Sequence, residues 1–264
     1  MRMADDDAIP RSIRDKANKE DLLLTNLIRL SVPFGNFYKN ERGKIRKSLY
    51  WVDNDISSRE LNISLPEGHL ARAIKAIDGT WLIILKQSPL QGEDASIVAH
   101  ELAHIVLDSE GFPFIETTLD YRGDPDFESL AFSLNNLLQD PLVIIKLQSY
   151  GFELYKEYYD ECQEAISALK KVNGRPDGIF GIKLTIDYIK NLLENDLLHF
   201  YQYDPCREYS ILFEQIFPFI DTRAKKLHKM IVDLDYHQMS NITSIYRNII
   251  DFFNLAEFLQ VKNQ

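Results

Sequence analysis

Cysteine is scarce in this sequence: Cys162 and Cys206 are the only two among 264 residues. That is too few for a disulfide framework in a chain of this length, and they are not spaced as a metal-binding pair, so both are expected to be reduced and structural. Basic residues are outnumbered, with 30 Lys and Arg against 40 Asp and Glu and a net charge of -10. A general nucleic-acid grip draws on clustered cations, so that class is excluded, and the local run from Arg42 to Lys47 reads as a solvated loop. No uncharged apolar run approaches the length of a membrane span, and "MRMADDDAIPRSIRDK" lacks the apolar core of a signal peptide. The expected setting is the cytoplasm, with no membrane segment. Repeats and low-complexity tracts are missing too, which leaves an ordinary globular chain.

Hydrophobic residues make up 45% and aromatics 11%, enough for a sizeable core in one large domain or two modest ones. The first dozen residues are acidic and polar and are expected to fray. "KEDLLLTNLIRLSV" then reads as an amphipathic helix stopped by Pro33. "SLYWVDN", "RELNISLP" and "TWLIILKQ" are rich in aromatic and branched residues between turn formers, which predicts strands of a small mixed sheet. From Glu93 to Leu107 the pattern is helical, and Asp126–Gln139 predicts a further helix ended by Pro141, with another short helix in "PLVIIKLQSYGFE". Beyond residue 151 helical periodicity dominates. Ile242, Ile245, Tyr246, Ile249, Ile250 and Phe253 fall on one face, while "NGRPDG" and "YDPC" mark breaks. The expectation is an α+β domain over 1–150 and a helical domain over 151–264.

Chemistry concentrates in "SIVAHELAHIVLDSEGFP", residues 96–113. A helix advances about 100° per residue, so His100 and His104 emerge about one turn apart on one side, as two imidazoles sharing an ion require. Glu101 is turned around the axis, where its carboxylate can take a proton from a metal-activated water. The bland alternative is a core helix, but two His and a Glu in an apolar helix would be costly as packing alone, because unpaired buried polar groups cost roughly 1 to 3 kcal/mol each.

Two His are an incomplete catalytic site, and no third His follows nearby, so a carboxylate is expected as the remaining ligand. Glu110, Glu116, Asp120, Asp124, Asp126, Glu128 and Asp140 are the acids within reach along the chain. Glu128, in the first turn of the next helix and sharing a face with Ala131, Phe132 and Asn135, is the leading candidate; Asp140 is the alternative. Asp120 and Asp124 suit orientation of a His through its other ring nitrogen, or a solvated loop. Zn2+ suits mixed His and carboxylate ligation best, with manganese, iron or cobalt as substitutes.

This segment resembles the ImmA/IrrE family of zinc metallopeptidases, in which a strand precedes a helix with an HExxH motif and a second helix supplies a Glu. The resemblance spans about residues 80–141: "TWLIILKQ" for the strand, "IVAHELAHIVL" for the first helix, "ESLAFSLNNLLQDP" for the second. It implies a zincin-like fold of the gluzincin type, His100, His104 and Glu128 as zinc ligands, Glu101 as general base, and cleavage of an intracellular protein. By position, "TWLIILKQ" is the candidate edge strand for an extended substrate. Tyr121 and His69 are candidates to stabilise an oxyanion. His228 and His237 read as ordinary helix residues. Two other functions fit the same residues: a non-catalytic metal-binding regulator whose C-terminal helices bind a protein partner, and a hydrolase of some non-peptide bond.

Overall fold

The protein is described by a computed structural model over residues 9–65, 69–76, 78–86, 90–172, 176–199 and 204–263. It is an α+β chain with small sheets and a helical C-terminal half. Its residues group into two compact units, Met1–Glu110 with Lys146–Phe152, and Gly111–Ile145 with Glu153–Gln264.

The first unit begins with α1 (Arg11–Lys16), α2 (Glu20–Leu30) and α3 (Val32–Glu41). Fraying of the first dozen residues is corrected from Ile9 onward, residues 1–8 lying outside the described residues. Ile9 and Ile13 are fully buried with Val52, Ile74, Leu82 and Ile84. Each such side chain withdraws enough apolar surface to contribute roughly 2 kcal/mol, which holds this short helix in place. Pro33 does more than follow α2. It sits in the first turn of α3, where its missing N–H interrupts no helical hydrogen bond, and the Ser31 hydroxyl caps that helix by accepting from Phe34 N–H at 3.3 Å.

Next come β1 (Leu49–Asp53), α4 (Asn54–Leu61), β2 (Ala71–Lys75) and β3 (Trp81–Leu85). The strand expected over "RELNISLP" is instead the end of α4 and a turn, its last residue lying outside the described residues. Polar side chains fold this segment: Ser57 Oγ bonds Asn54 and Ile63 carbonyls, and Asn54 Oδ1 accepts from Leu65 N–H at 2.7 Å. β2 escapes the sequence reading because Ile74 is its only strong strand former, beside Ala71, Arg72, Ala73 and Lys75. The sheet order is β1-β3-β2, with β1 parallel and β2 antiparallel to β3. All five residues of β3 are buried, so the supposed edge strand is the central one, and the edges are β1 and β2. Asp78 and Gly79 turn the chain between β2 and β3; Gly79 takes φ +79°, and Asp78 Oδ1 accepts from Thr80 N–H at 2.9 Å.

α5 (Ala95–Ser109) carries the HExxH motif and packs on β2 and α3. Glu41, at the end of α3, is an electrostatic knot in this unit. Its carboxylate, 6% exposed, accepts from Tyr150 at 2.6 Å, Lys44 at 2.9 Å and Lys146 at 3.2 Å. Burial alone would raise its pKa; the bonds from Tyr150 and both lysines outweigh that and hold it below the ordinary value. A group lowered in the folded state stabilises above its unfolded pKa, about 4.3, and loses that contribution as pH falls through the folded value. Glu41→Gln is therefore expected to lower stability by about 2 kcal/mol at pH 7. The melts of the two proteins should draw together as pH is lowered from 7, and a gap that does not narrow on acidification would contradict this assignment.

In the second unit, β4 (Phe114–Thr117) precedes α6 (Pro125–Ser149), whose last turn belongs with the first unit. The helix break expected at Pro141 does not occur: α6 runs through it as one 25-residue helix. Pro141 forfeits one backbone bond, but Leu137, Leu138, Val143, Ile144 and Leu147 on both sides are fully buried, and their packing holds the helix across the defect. α7 (Tyr155–Leu169), α8 (Gly178–Leu198), α9 (Asp204–Ile216), α10 (Pro218–Asp233) and α11 (Met239–Phe252) follow. The break expected at "NGRPDG" falls partly on residues 173–175, and that at "YDPC" on Tyr203, outside the described residues. All six apolar residues assigned to one face of α11 and its end are buried. The C-terminal half is not wholly helical, however, because β5 (Leu259–Lys262) pairs antiparallel with β4. Asn135 closes the other side of β4: its side chain accepts from Ile115 N–H at 2.7 Å and donates to Ile115 C=O at 2.8 Å.

Candidate metal centre

The face that α5 turns to β2 is set by acids two helical turns apart. Glu101 Oε2 accepts from Ala73 N–H at 2.5 Å, and both carboxylate oxygens of Asp108 accept from Lys75 Nζ at 2.7 Å. Seven residues at about 100° each return to nearly the same direction, so this spacing locks α5 in rotation against β2. His100 and His104 then lie some 60° to 100° away around the axis, together on one side. Their Nε2 atoms are 3.0 Å apart, and the rings meet at 70°. Two nitrogens each about 2.0–2.1 Å from one tetrahedral ion would be separated by roughly 3.3 Å, so the pair has nearly the spacing of two ligands. His100, Glu101 and His104 are half-buried, whereas Val98, Ala99, Leu102, Ala103, Ile105 and Val106 on the rest of the helix are buried. Polar residues therefore occupy the side with access to solvent.

The acids proposed as third ligand differ sharply. Glu128 is exposed, and its Oε1 accepts from Thr117 Oγ1 at 2.9 Å and from Gly123 N–H at 3.4 Å. Asp124 is the N-terminal cap of α6, accepting from Asp126 N–H at 3.0 Å and Phe127 N–H at 3.3 Å. Asp140 is buried, and its Oδ2 accepts from Lys190 Nζ at 2.8 Å. Its charge adds to the effect of full burial in pushing Tyr246 well above the ordinary tyrosine pKa. Glu110 is held by Lys44 at 2.7 Å.

The remaining candidates have plain roles. Tyr121 donates its hydroxyl to Glu257 at 3.2 Å and packs edge-on against the stacked rings of Phe127 and Phe258. His69 is exposed. His228 on α10 bonds Asp196 on α8 at 2.8 Å, and His237 bonds Asp235 in the turn after α10 at 3.1 Å. The basic run Arg42 to Lys47 is partly matched by acids, Arg42 gripping Glu20 through two nitrogens and Lys44 bridging Glu41 and Glu110.

The chain matches no protein-family model, and comparison with curated proteins and with solved structures likewise returned no match. Among the described residues, no helix is long and apolar enough to cross a membrane.

Proposed function

We propose that the protein is a zinc-dependent metallopeptidase of the gluzincin type, with His100, His104 and an α6 carboxylate as ligands and Glu101 as general base, acting on a protein or peptide substrate in the cytoplasm. The observation that carries this reading is the pair of imidazole nitrogens 3.0 Å apart on the accessible side of α5, with a carboxylate turned aside next to them. The donor set fits the metal: two neutral imidazoles and one carboxylate leave an open position for water and neutralise half of a divalent charge. Zinc held there would lower the pKa of a bound water to about 7 and polarise the scissile carbonyl. Glu101 accepts the proton released on attack and returns it to the leaving amine. Its bond to Ala73 keeps it at the outer side of β2, the antiparallel edge strand, along which an extended peptide would add as a further strand.

We assign the third ligand to Asp140 in preference to Glu128. Asp140 is buried, whereas Glu128 is exposed. Burial favours a carboxylate that can be neutralised by a metal, and the Lys190 contact is the kind of outer support that ligating carboxylates have. Elemental analysis of protein purified without added metal, then reloaded with zinc, is the test. Asp140→Asn is expected to lose zinc while keeping its helical circular dichroism, and Glu128→Ala to keep it. The reverse result would return the ligand to Glu128, and a wild type that binds no zinc would end the peptidase reading.

The Ala73 hydrogen bond also favours a second reading, in which Glu101 serves only to tie α5 to β2 and the metal stabilises a non-catalytic regulator. In that case Glu101→Gln, whose amide oxygen still accepts from Ala73, changes neither stability nor partner binding.

A further inference from the structure

The two cysteines, expected to be reduced and structural, meet. Cys162 on α7 and Cys206 on α9 are 44 residues apart in sequence, and their Sγ atoms are 3.0 Å apart. Both are buried thiols on helices that pack against one another. Cys162 also receives Asn191 Nδ2 at 3.7 Å, and it lines a partly open cavity of about 210 Å³ with Tyr158, Asp187, Lys190, Asn191 and Tyr209. Cys206 does not line that cavity. We propose that Cys162 and Cys206 form a reversible oxidation site, in which Cys162 meets a small peroxide entering through the cavity and Cys206 closes an intrachain disulfide between α7 and α9.

Each part of the geometry has a task. A thiolate is the nucleophile, and donation from Asn191 and from the Cys206 thiol stabilises it on Cys162. Attack on the peroxide forms an S–O bond and breaks the O–O bond, and the departing hydroxide takes a proton to leave as water. Cys206 gives up its proton, and its sulfur displaces the hydroxyl of the Cys162 sulfenic acid, so the S–S bond forms as the S–O bond breaks. A second water leaves. Two electrons pass from the sulfur pair to the peroxide, and a dithiol reductant returns them. Both sulfurs are buried and 3.0 Å apart, so the sulfur within reach of a sulfenic acid on Cys162 is that of Cys206, and the bond forms within the chain.

The test treats the full-length chain with hydrogen peroxide in slight excess, blocks remaining thiols with N-ethylmaleimide after denaturation, and maps peptides without reduction. The expected result is joint loss of both thiols, a linked peptide pair containing Cys162 and Cys206, and full recovery by dithiothreitol. The oxidised wild type should melt roughly 5 °C or more above the reduced form, and Cys162→Ser and Cys206→Ser should show no such shift. In Cys206→Ser, dimedone should trap a sulfenic acid on Cys162. Both thiols still alkylated after peroxide, oxidation to sulfinic or sulfonic acid without a link, or a bond between two chains would each overturn the proposal. A dimedone adduct on Cys206 in Cys162→Ser, with none on Cys162 in Cys206→Ser, would overturn the order of the two steps.

Discussion

Glu101→Gln is expected to keep a wild-type zinc content and to lower peptide hydrolysis by about 10²- to 10⁴-fold, the usual contribution of a positioned general base. Glutamine has nearly the shape of glutamate, and its amide oxygen can still accept from Ala73 N–H, so the tie between α5 and β2 survives. What it cannot do is take a proton. His100→Ala removes one of two paired nitrogens and should abolish zinc binding and activity together. The two variants separate base from ligand, with zinc measured by elemental analysis and turnover on a quenched fluorescent peptide library. Equal activity in Glu101→Gln and wild type would sink the catalytic role of Glu101. Loss of zinc in Glu101→Gln would make it a ligand, and retention of zinc in His100→Ala would dismantle the site.

Phe213→Ala is expected to destabilise the second unit by about 3–5 kcal/mol, the largest stability effect foreseen for a single core residue here. The Phe213 ring is fully buried and stacks on Tyr188 with centroids 3.8 Å apart and planes at 11°, while Tyr209 and Phe217 flank it. Truncation removes contacts to three rings from three helices at once, α8, α9 and the start of α10. It also loosens Tyr188, whose hydroxyl donates to Asp221 at 3.1 Å in a buried setting. Urea denaturation followed by circular dichroism should show a lower midpoint with little change in slope. Phe213→Leu, which refills much of the volume, should recover more than half of the loss. An unfolding free energy within about 0.5 kcal/mol of wild type for Phe213→Ala would mean that the aromatic cluster is not what holds these helices.

The sequence reading succeeded where a single local rule governed. A run of aromatic and branched residues between turn formers made β1 and β3 visible, and 3.6-residue periodicity exposed the buried face of α11. It failed where partners far along the chain decided. β2, poor in strand formers, is a strand because β3 lies beside it, and β5 because β4 lies some 140 residues earlier. At Pro141 the local rule, a missing N–H, was overruled by packing on both flanks.

The site divides in the same way. Helical spacing alone determined that His100 and His104 share a side of α5 and that Glu101 is turned from them, because covalent geometry sets those angles. Which direction that side faces was decided by Ala73 and Lys75, which hold Glu101 and Asp108 against β2. Spacing likewise made Cys162 and Cys206 look unrelated, and only the packing of α7 on α9 brought their sulfurs together. Local periodicity fixes angles within one element. Contact between residues far apart in sequence is settled by which buried faces pack, and that is a property of the tertiary structure.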